Sequence, residues 1–304
     1  MTREWLIRIV VGVAVLVVVL IGVTWLAAGD LTDPANRDIG NPPSDLNASG
    51  ATFASESSGS LIHGWLSVGK PGQGVVLLLH GLRGDRRDMI SRAEFLRARG
   101  YSVLLVDFQA HGESRGSRVT FGDLESRDVT AAIHYLHHKL PAEKIGILGV
   151  SLGAAATVLA KGRPAVAAIV LEQMYSSIEQ AVAIRARLSF GPPGAWLAPV
   201  LMEEMQSRLN IPANRLQMVD WMGKIGGPVL IVDGTRDNYT PIEDARALLA
   251  AAPEPKELWA VEGAKHVNLY TFAKADYERR VGDFLGRYLQ VATPASPGEA
   301  PLSK

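Results

Sequence analysis

The stretch IGILGVSLGAAATVLAK, from Ile145 to Lys161, decides the fold because it predicts a strand that turns directly into a helix. Its first residues are apolar or glycine, as in a buried strand, and an alanine-rich helical run follows. The connection is Gly149-Val150-Ser151-Leu152-Gly153, in which the two glycines let the backbones pass closely through a very tight turn. Such a turn exposes the Ser151 hydroxyl at the strand end, beside the N–H groups that begin the helix. Ser151 is therefore the candidate nucleophile.

The same G-x-S-x-G pattern occurs a second time, as Gly112-Glu113-Ser114-Arg115-Gly116. This copy follows Phe108-Gln109-Ala110-His111 and precedes Ser117-Arg118-Val119-Thr120, a sequence that does not favour a helix. Because glycine and serine are both common, the pattern arises easily by chance, and the strand-to-helix context separates the two copies. We interpret the copy at Ser114 as incidental.

Short apolar runs alternate with longer helical patterns on either side of the Ser151 turn. This alternation is typical of an α/β fold with a mostly parallel twisted sheet and helices on both faces. An opening hairpin is predicted from Thr52 to Ser55 and Leu61 to Ser67, around Ser58-Gly59. The other predicted strands are Val75 to Leu79, Ser102 to Val106, Ile145 to Gly149, Ala167 to Leu171, Val229 to Asp233 and Glu257 to Val261. We expect one domain over residues 51–292 and a disordered tail over residues 293–304.

A serine nucleophile needs a base to take its proton and a carboxylate to orient that base, and both are sought beyond the carboxyl ends of the strands. His266 follows the last predicted strand, so its imidazole is the candidate base. Asp237 follows the preceding strand, beyond the turn at Gly234, and is the favoured acid. Asp233, still within that strand, and Glu172, just past an earlier strand, remain alternatives for the acid.

The oxyanion that forms when a serine attacks a carbonyl needs fixed hydrogen-bond donors. The backbone N–H of Leu152, at the helix start, is one candidate. The strand Val75 to Leu79 runs into His80-Gly81-Leu82, where the glycine lets the next peptide turn toward the same point. The backbone N–H of Leu82 is therefore the second candidate. His80 is a less favoured alternative for the base, because a histidine beside glycine at a strand end more often orients a loop.

With these residues the chain resembles an α/β-hydrolase, in the branch of small-capped esterases and serine-aminopeptidase-like enzymes. The resemblance runs from about Ala51 to Leu289 and rests on His80-Gly81, Asp107 to Ser114, the Ser151 turn, Gly234-Thr235-Arg236-Asp237 and Gly263 to His266. It implies hydrolysis through an acyl-enzyme in which Ser151 attacks a carbonyl, His266 moves the proton and Asp237 orients His266. An ester with a small or apolar acyl group is the expected substrate. A peptidase or amidase, and a catalytically silent binding domain, are the alternatives.

An insertion at about residues 172–227 makes no return to a strand and is expected to form a small helical cap over the sheet edge. It holds Met174, Tyr175 and Trp196, which are candidates for the substrate pocket, among several other methionines and aromatic residues. Methionine adapts to varied apolar shapes, which favours a flexible pocket for an acyl chain. The alternative is that these side chains only pack the cap onto the sheet.

The N-terminal segment carries an uncharged apolar run from Ile9 to Ala28, long enough as a helix to cross the hydrocarbon of a bilayer. Arg3 and Arg8 precede it and acidic residues follow it, so residues 1–28 are expected to anchor the chain with the catalytic domain outside the cytoplasm. A signal peptide cleaved before Asp30 is the alternative and implies a secreted or periplasmic protein. Residues 29–50 are polar and rich in turn formers, which predicts a solvated tether.

The composition excludes several other classes of function. The 31 Lys and Arg balance the 31 Asp and Glu, so no overall positive field would attract nucleic acid. The absence of cysteine removes thiol nucleophiles, disulfides and thiolate metal sites. The sequence shows neither a metal-ligand cluster nor a phosphate-binding glycine loop, so we expect no metal and no cofactor.

Overall fold

The computed structural model describes residues 3–55, 60–160, 162 and 165–290. The strands are β1 (Ala35–Asn36), β2 (Ser49–Ala54), β3 (Leu61–Ser67), β4 (Val75–Leu79), β5 (Ser102–Val106), β6 (His111–Gly112), β7 (Ile145–Val150), β8 (Ala168–Glu172), β9 (Val229–Gly234) and β10 (Lys256–Val261). The helices are α1 (Arg3–Thr32), α2 (Ile90–Ala98), α3 (Glu125–Lys139), α4 (Leu152–Leu159), α5 (Ile178–Phe190), α6 (Gly194–Leu209), α7 (Met218–Met222), α8 (Ile242–Ala251), α9 (Leu269–Phe272) and α10 (Lys274–Leu289).

Eight strands form one sheet in the order β10-β9-β8-β7-β4-β5-β3-β2. The six strands from β10 to β5 run parallel, and only β3 and β2 are antiparallel to their neighbours. The predicted mostly parallel sheet is therefore confirmed. The antiparallel pairing of β2 with β3 also matches the predicted opening hairpin, although its turn at Ser58-Gly59 lies outside the described residues, as does the tail 293–304.

Both faces of the sheet are covered, which explains why its strands are apolar without alternation. Along β4, Val75, Leu77 and Leu79 pack into one core, whereas Val76 and Leu78 pack into another on the opposite face. The first core is closed by α3, α4, α8 and the insertion, and the second by α2 and α10. Because β7 is the fourth strand from one edge and β4 is its neighbour, the Ser151 turn lies near the centre of the sheet.

A helical insertion follows β8 and ends at β9. It contains α5, α6, a short 3-10 helix at Ala213–Leu216 and α7. Its buried residues, among them Met202, Met205 and Met222, pack into the same core as α3 and α4. The insertion therefore lies on one face of the sheet, where α5 is close to the carboxyl ends of the strands.

The segment 29–50 differs from the predicted solvated tether. Helix α1 continues to Thr32, β1 pairs in parallel with β6, and Leu46 is buried in the core beneath β3. The Ser67 hydroxyl donates to the Leu46 carbonyl at 2.6 Å. The prediction was wrong because polar and turn-forming residues can still supply backbone hydrogen bonds to a neighbouring loop, which composition does not reveal.

The glycine that follows the Ser151 turn packs against a neighbouring strand, and this contact yields a stability prediction. A Cβ atom at Gly153 would lie 2.5 Å from the Leu79 carbonyl oxygen, and this backbone atom cannot move aside cheaply. Gly153→Ala should therefore lower the free energy of unfolding by about 1–3 kcal/mol, as overpacking usually does. Gly223→Ala is the matched control, because its nearest contact would be an ordinary 3.7 Å. Equal melting temperatures for the two variants would contradict the prediction.

Candidate active site

Ser151 lies in the turn between β7 and α4, with φ of 51° and ψ of −105°. A positive φ is costly for a residue with a side chain, so the surrounding structure must hold it there. The Ser151 N–H donates to the Glu172 carbonyl at 2.8 Å, and the flanking glycines approach so closely that a Cβ at Gly149 would lie 2.6 Å from the Gly153 carbonyl carbon. The neighbouring strand and the two glycines therefore fix the backbone of Ser151.

The two candidate oxyanion donors belong to the helix and the loop next to Ser151. Leu152 begins α4, and Leu82 lies in the turn that follows β4. A Cβ at Gly81 would lie 3.7 Å from the Ser151 Cβ, so the loop after β4 contacts the serine directly. Leu82, Leu152 and Ser151 line the same pocket.

The imidazole of His266 lines that pocket as well, and its Nδ1–H donates to Asp237 Oδ2 at 2.7 Å. Asp237 Oδ1 accepts the backbone N–H groups of Tyr239 at 2.8 Å and Thr240 at 2.9 Å. Burial alone would raise the pKa of Asp237, but the hydrogen bond and charge of His266 and these backbone donors hold it below its usual range. Asp237 is therefore an anion that fixes the orientation and tautomer of His266.

The two alternative acids have other partners. Glu172 is fully buried and accepts from Arg92 Nη2 at 2.6 Å and from the Tyr277 hydroxyl. Asp233 Oδ1 accepts the Gly234 N–H at 2.7 Å, and burial, with the nearby charge of Asp237, raises the pKa of Asp233 to about 8. Neither carboxylate takes the place beside His266 that Asp237 holds.

The alternative base and the second G-x-S-x-G serine are both structural. His80 is fully buried, donates from Nδ1 to the Gly81 carbonyl at 2.7 Å and accepts the Phe108 N–H at Nε2. Burial lowers the pKa of His80 to about 4, so it is neutral. Ser114 is buried too, where its hydroxyl donates to the Asp107 carbonyl and accepts the His63 N–H. Both side chains therefore hold neighbouring backbone segments in place through these hydrogen bonds.

The pocket is partly open to solvent, and the space between its walls, counted together with that opening, is about 530 Å³. Its walls are mostly apolar and come from the loop after β4, from the loop before α3, from α4 and from the insertion; they include Leu82, Phe121, Ile178, Ala181 and Val182. Tyr175, one of the three predicted pocket residues, lines it, with its hydroxyl bound to the Phe121 carbonyl.

The other two predicted pocket residues lie elsewhere. Met174 is only 1% exposed and packs in the core, and Trp196 is 82% exposed on α6. Neither lines the pocket. The sequence pattern does not place these two residues because an apolar residue in an insertion can face the core, the pocket or the outside.

The sequence analysis missed three polar residues of the site. Gln173 donates from Nε2 to Asp237 Oδ2 at 2.8 Å and to the Lys265 carbonyl at 3.2 Å. Tyr239 packs against the His266 ring at a centroid distance of 5.2 Å, and the Arg185 guanidinium lies 4.9 Å from the Tyr239 ring centroid. Gln173 could have been found from its position directly after β8, but nothing in the sequence links Arg185 on α5 to this edge.

Over residues 3–55, 60–160, 162 and 165–290, no group of three or more His, Cys, Asp or Glu side chains could hold a metal ion.

The comparisons with known proteins identify the family. The model of the alpha/beta hydrolase family matches residues 76–280, and the chain belongs to that family. Among curated relatives, the uncharacterized protein YfhR of Salmonella typhimurium is 26% identical over 97% of this chain and 100% of its own. The uncharacterized protein Rv2307c of Mycobacterium tuberculosis is 29% identical over 77% of this chain and 73% of its own.

Solved structures show the same fold. One structure of the Pyrococcus furiosus esterase Pf2001 superposes with a TM-score of 0.69 at 24% identity, covering 84% of this chain and 98% of that one. Another crystal form of that esterase superposes with a TM-score of 0.66 at 25% identity, covering 84% of this chain and 97% of that one. The Rhodococcus esterase RhEst1 superposes with a TM-score of 0.59 at 19% identity, covering 79% and 99%. The predicted α/β-hydrolase fold is therefore confirmed.

The raised pKa of Asp233 gives a prediction for stability against pH. In the unfolded chain this carboxyl ionises near pH 4, but in the folded protein only near pH 8. Its ionisation therefore opposes folding increasingly as the pH rises from about 4 to about 8. Asp233→Asn removes this charge and keeps the acceptor for Gly234. The variant should gain melting temperature over wild type by a few degrees more at pH 8.5 than at pH 5.5.

The control for this prediction is Asp283→Asn, at an exposed position on α10. The difference in melting temperature between Asp283→Asn and wild type should be the same at pH 5.5 and at pH 8.5. If the difference in melting temperature between Asp233→Asn and wild type is also the same at both pH values, then Asp233 is ionised in the folded protein throughout this range.

Proposed function

We propose that this alpha/beta hydrolase is a serine esterase with Ser151 as nucleophile, His266 as base and Asp237 as the acid that orients it. The observation that carries the proposal is the convergence of a strained serine turn and an aspartate-paired histidine on one pocket. The three residues follow three different strands, and their meeting at one pocket is the arrangement that nucleophilic catalysis by a serine requires.

The proposed reaction proceeds in two halves. Ser151 Oγ attacks the ester carbonyl carbon while its proton passes to His266 Nε2, and the backbone N–H groups of Leu82 and Leu152 hold the oxyanion. The intermediate collapses, and the alcohol leaves with the proton from His266. A water molecule then attacks the acyl-enzyme, again giving its proton to His266, which returns a proton to Ser151 as the free acid departs.

The mostly apolar pocket supports an ester with an apolar acyl group as substrate. The likeness to the Pyrococcus furiosus esterase supports ester rather than amide hydrolysis. Among the polar residues of the pocket wall, Tyr239 packs against His266 and Arg185 lies over the Tyr239 ring.

We also propose that α1 anchors the protein in a membrane, with the catalytic domain outside the cytoplasm. It is the one helix in the described part of the chain that is long and apolar enough to cross a bilayer. Arg3 and Arg8 precede the apolar run, and Asp30 and Asp33 follow it. The alternative, cleavage before Asp30, would cut within α1 next to Ala28 and Gly29, which are buried against the domain. That packing supports an uncleaved anchor.

Reaction with a fluorophosphonate tests the nucleophile. The reagent should modify Ser151, as located by mass spectrometry, and Ser151→Ala should abolish labelling. Ser151→Ala and His266→Ala should each lower kcat for a p-nitrophenyl ester by at least about 10³-fold, and Asp237→Asn by a similar factor, because these residues act as a unit.

His134→Ala, at an exposed position on α3, is the matched control and should retain full activity. Ser114→Ala should still be labelled at Ser151. Labelling of wild type at any other residue, or unchanged labelling of Ser151→Ala, would reject the proposal. A larger loss of kcat in Glu172→Gln than in Asp237→Asn would reassign the acid.

The pocket predicts how the rate depends on acyl length. Each CH₂ group that moves from water into the pocket contributes about 0.8 kcal/mol, or roughly fourfold in kcat/KM. From the acetyl to the butyryl ester, which adds two CH₂ groups, kcat/KM should therefore rise by about fifteenfold, and the octanoyl ester should not fall below the acetyl ester. A steady fall from acetyl to octanoyl would contradict an apolar acyl pocket.

A further inference from the structure

The hairpin of α5 and α6 exposes an apolar surface at its end. Residues 188–202, with the sequence LSFGPPGAWLAPVLM, carry no charged side chain, and we call them the cap tip. Trp196 is 82% exposed, and Leu188, Phe190 and Val200 are 40%, 38% and 40% exposed. Charged residues bound the cap tip on both sides, with Arg187 before it and Glu203 after it. An exposed apolar cluster with charged margins is typical of an interaction surface.

Helix α6 packs against the end of α1. Thr24 Oγ1 donates to Glu204 Oε1 at 2.9 Å, and Arg208 Nη2 donates to the Trp25 carbonyl at 2.8 Å. The Arg208 guanidinium also lies 3.8 Å from the Trp25 ring centroid, and a Cβ at Gly29 would lie 3.6 Å from that guanidinium. Thr24 contacts Glu204 and Gly29 contacts Arg208, so the residue numbers increase together along α1 and α6. The two helices therefore run parallel.

This direction places the cap tip beside the apolar run of α1. Trp196 precedes Glu204 by about 12 Å of helix, at 1.5 Å per residue. The same length measured back along α1 from Thr24 reaches the level of Leu16, within the uncharged run from Ile9 to Ala28. If α1 spans a bilayer, the cap tip extends toward the hydrocarbon on the same side of the domain.

We propose that the cap tip inserts into the bilayer leaflet adjoining the catalytic domain, so that the membrane contacts the protein at α1 and at the cap tip together. This inference rests on the membrane anchor of the proposed function. Three observations select lipid as the occupant: the uncharged sequence, the exposed Trp196 with its apolar neighbours, and the packing of α6, which carries Trp196, against the end of α1. Tryptophan is favoured where an apolar surface meets lipid headgroups.

The insertion has a consequence for the substrate. Helix α5 lines the pocket with Ile178, Val182 and Arg185 and leads into the cap tip at Leu188. The pocket therefore lies next to the membrane surface that the cap tip enters. This placement gives the pocket access to amphiphilic esters that have an apolar acyl chain and are dissolved in the bilayer.

Lipid-attached quenchers test the insertion directly. The chain has no cysteine, so Trp196→Cys in the full chain gives a single site for a nitrobenzoxadiazole label. The protein is reconstituted in phosphatidylcholine vesicles with and without a doxyl group on the acyl chains. Doxyl lipids should quench the label at position 196 to at least half the extent seen for Val18→Cys, an exposed position within α1.

Asp276→Cys, on the exposed face of α10 at the opposite side of the sheet, is the matched control and should show little quenching. Quenching at position 196 that is no greater than at position 276 would overturn the proposal. A blue-shifted label at position 196 without quenching would also overturn it, because the cap tip would then be covered by protein, such as a second copy of the chain.

Kinetics with two substrates separate this inference from the esterase proposal. The double variant Phe190→Asp and Trp196→Asp should hydrolyse a short water-soluble ester within twofold of wild type, but a long-chain ester in vesicles at least tenfold more slowly. An equal rate on the vesicle substrate would overturn the role of the cap tip. If Ser151 is not the nucleophile, the esterase proposal fails while the quenching result still stands.

Discussion

The close approach of β7, α4 and β4 around Ser151 is the constraint on which the site depends. Glycine at positions 149 and 153 lets the strand and the helix pass so closely that the serine adopts a positive φ. The backbone bond from Ser151 to Glu172 ties this turn to β8. Without these close contacts, the serine would relax toward an ordinary conformation, and its hydroxyl would leave the pocket.

The end of β8 links Ser151 to Asp237. The carbonyl of Glu172 holds the Ser151 N–H, and its carboxylate is neutralised by the buried Arg92. The next residue, Gln173, donates to the same oxygen of Asp237 that binds His266. The end of β8 therefore positions both Ser151 and Asp237. The free-energy cost of burying the Arg92–Glu172 ion pair is small because both charges are hydrogen-bonded.

The insertion and the N-terminal helix form a second unit of organisation. The insertion lines the pocket with α5 and contacts α1 through α6, so one helical hairpin joins the pocket to the N-terminal helix. The segment after α1 continues this attachment through the pairing of β1 with β6. Packing and hydrogen bonds thus hold the domain against α1, where the sequence predicted a solvated tether.

The sequence by itself determined the sheet and the identities of Ser151, Asp237 and His266 as candidates, because buried strands followed by glycine turns are local signals and parallel strands end at one edge. Only the tertiary structure decided that Asp237, and not Glu172 or Asp233, pairs with His266. It also decided that Trp196 faces outward and Met174 inward. These outcomes depend on which side of a helix or loop meets another element, and that is a property of long-range packing rather than of local pattern.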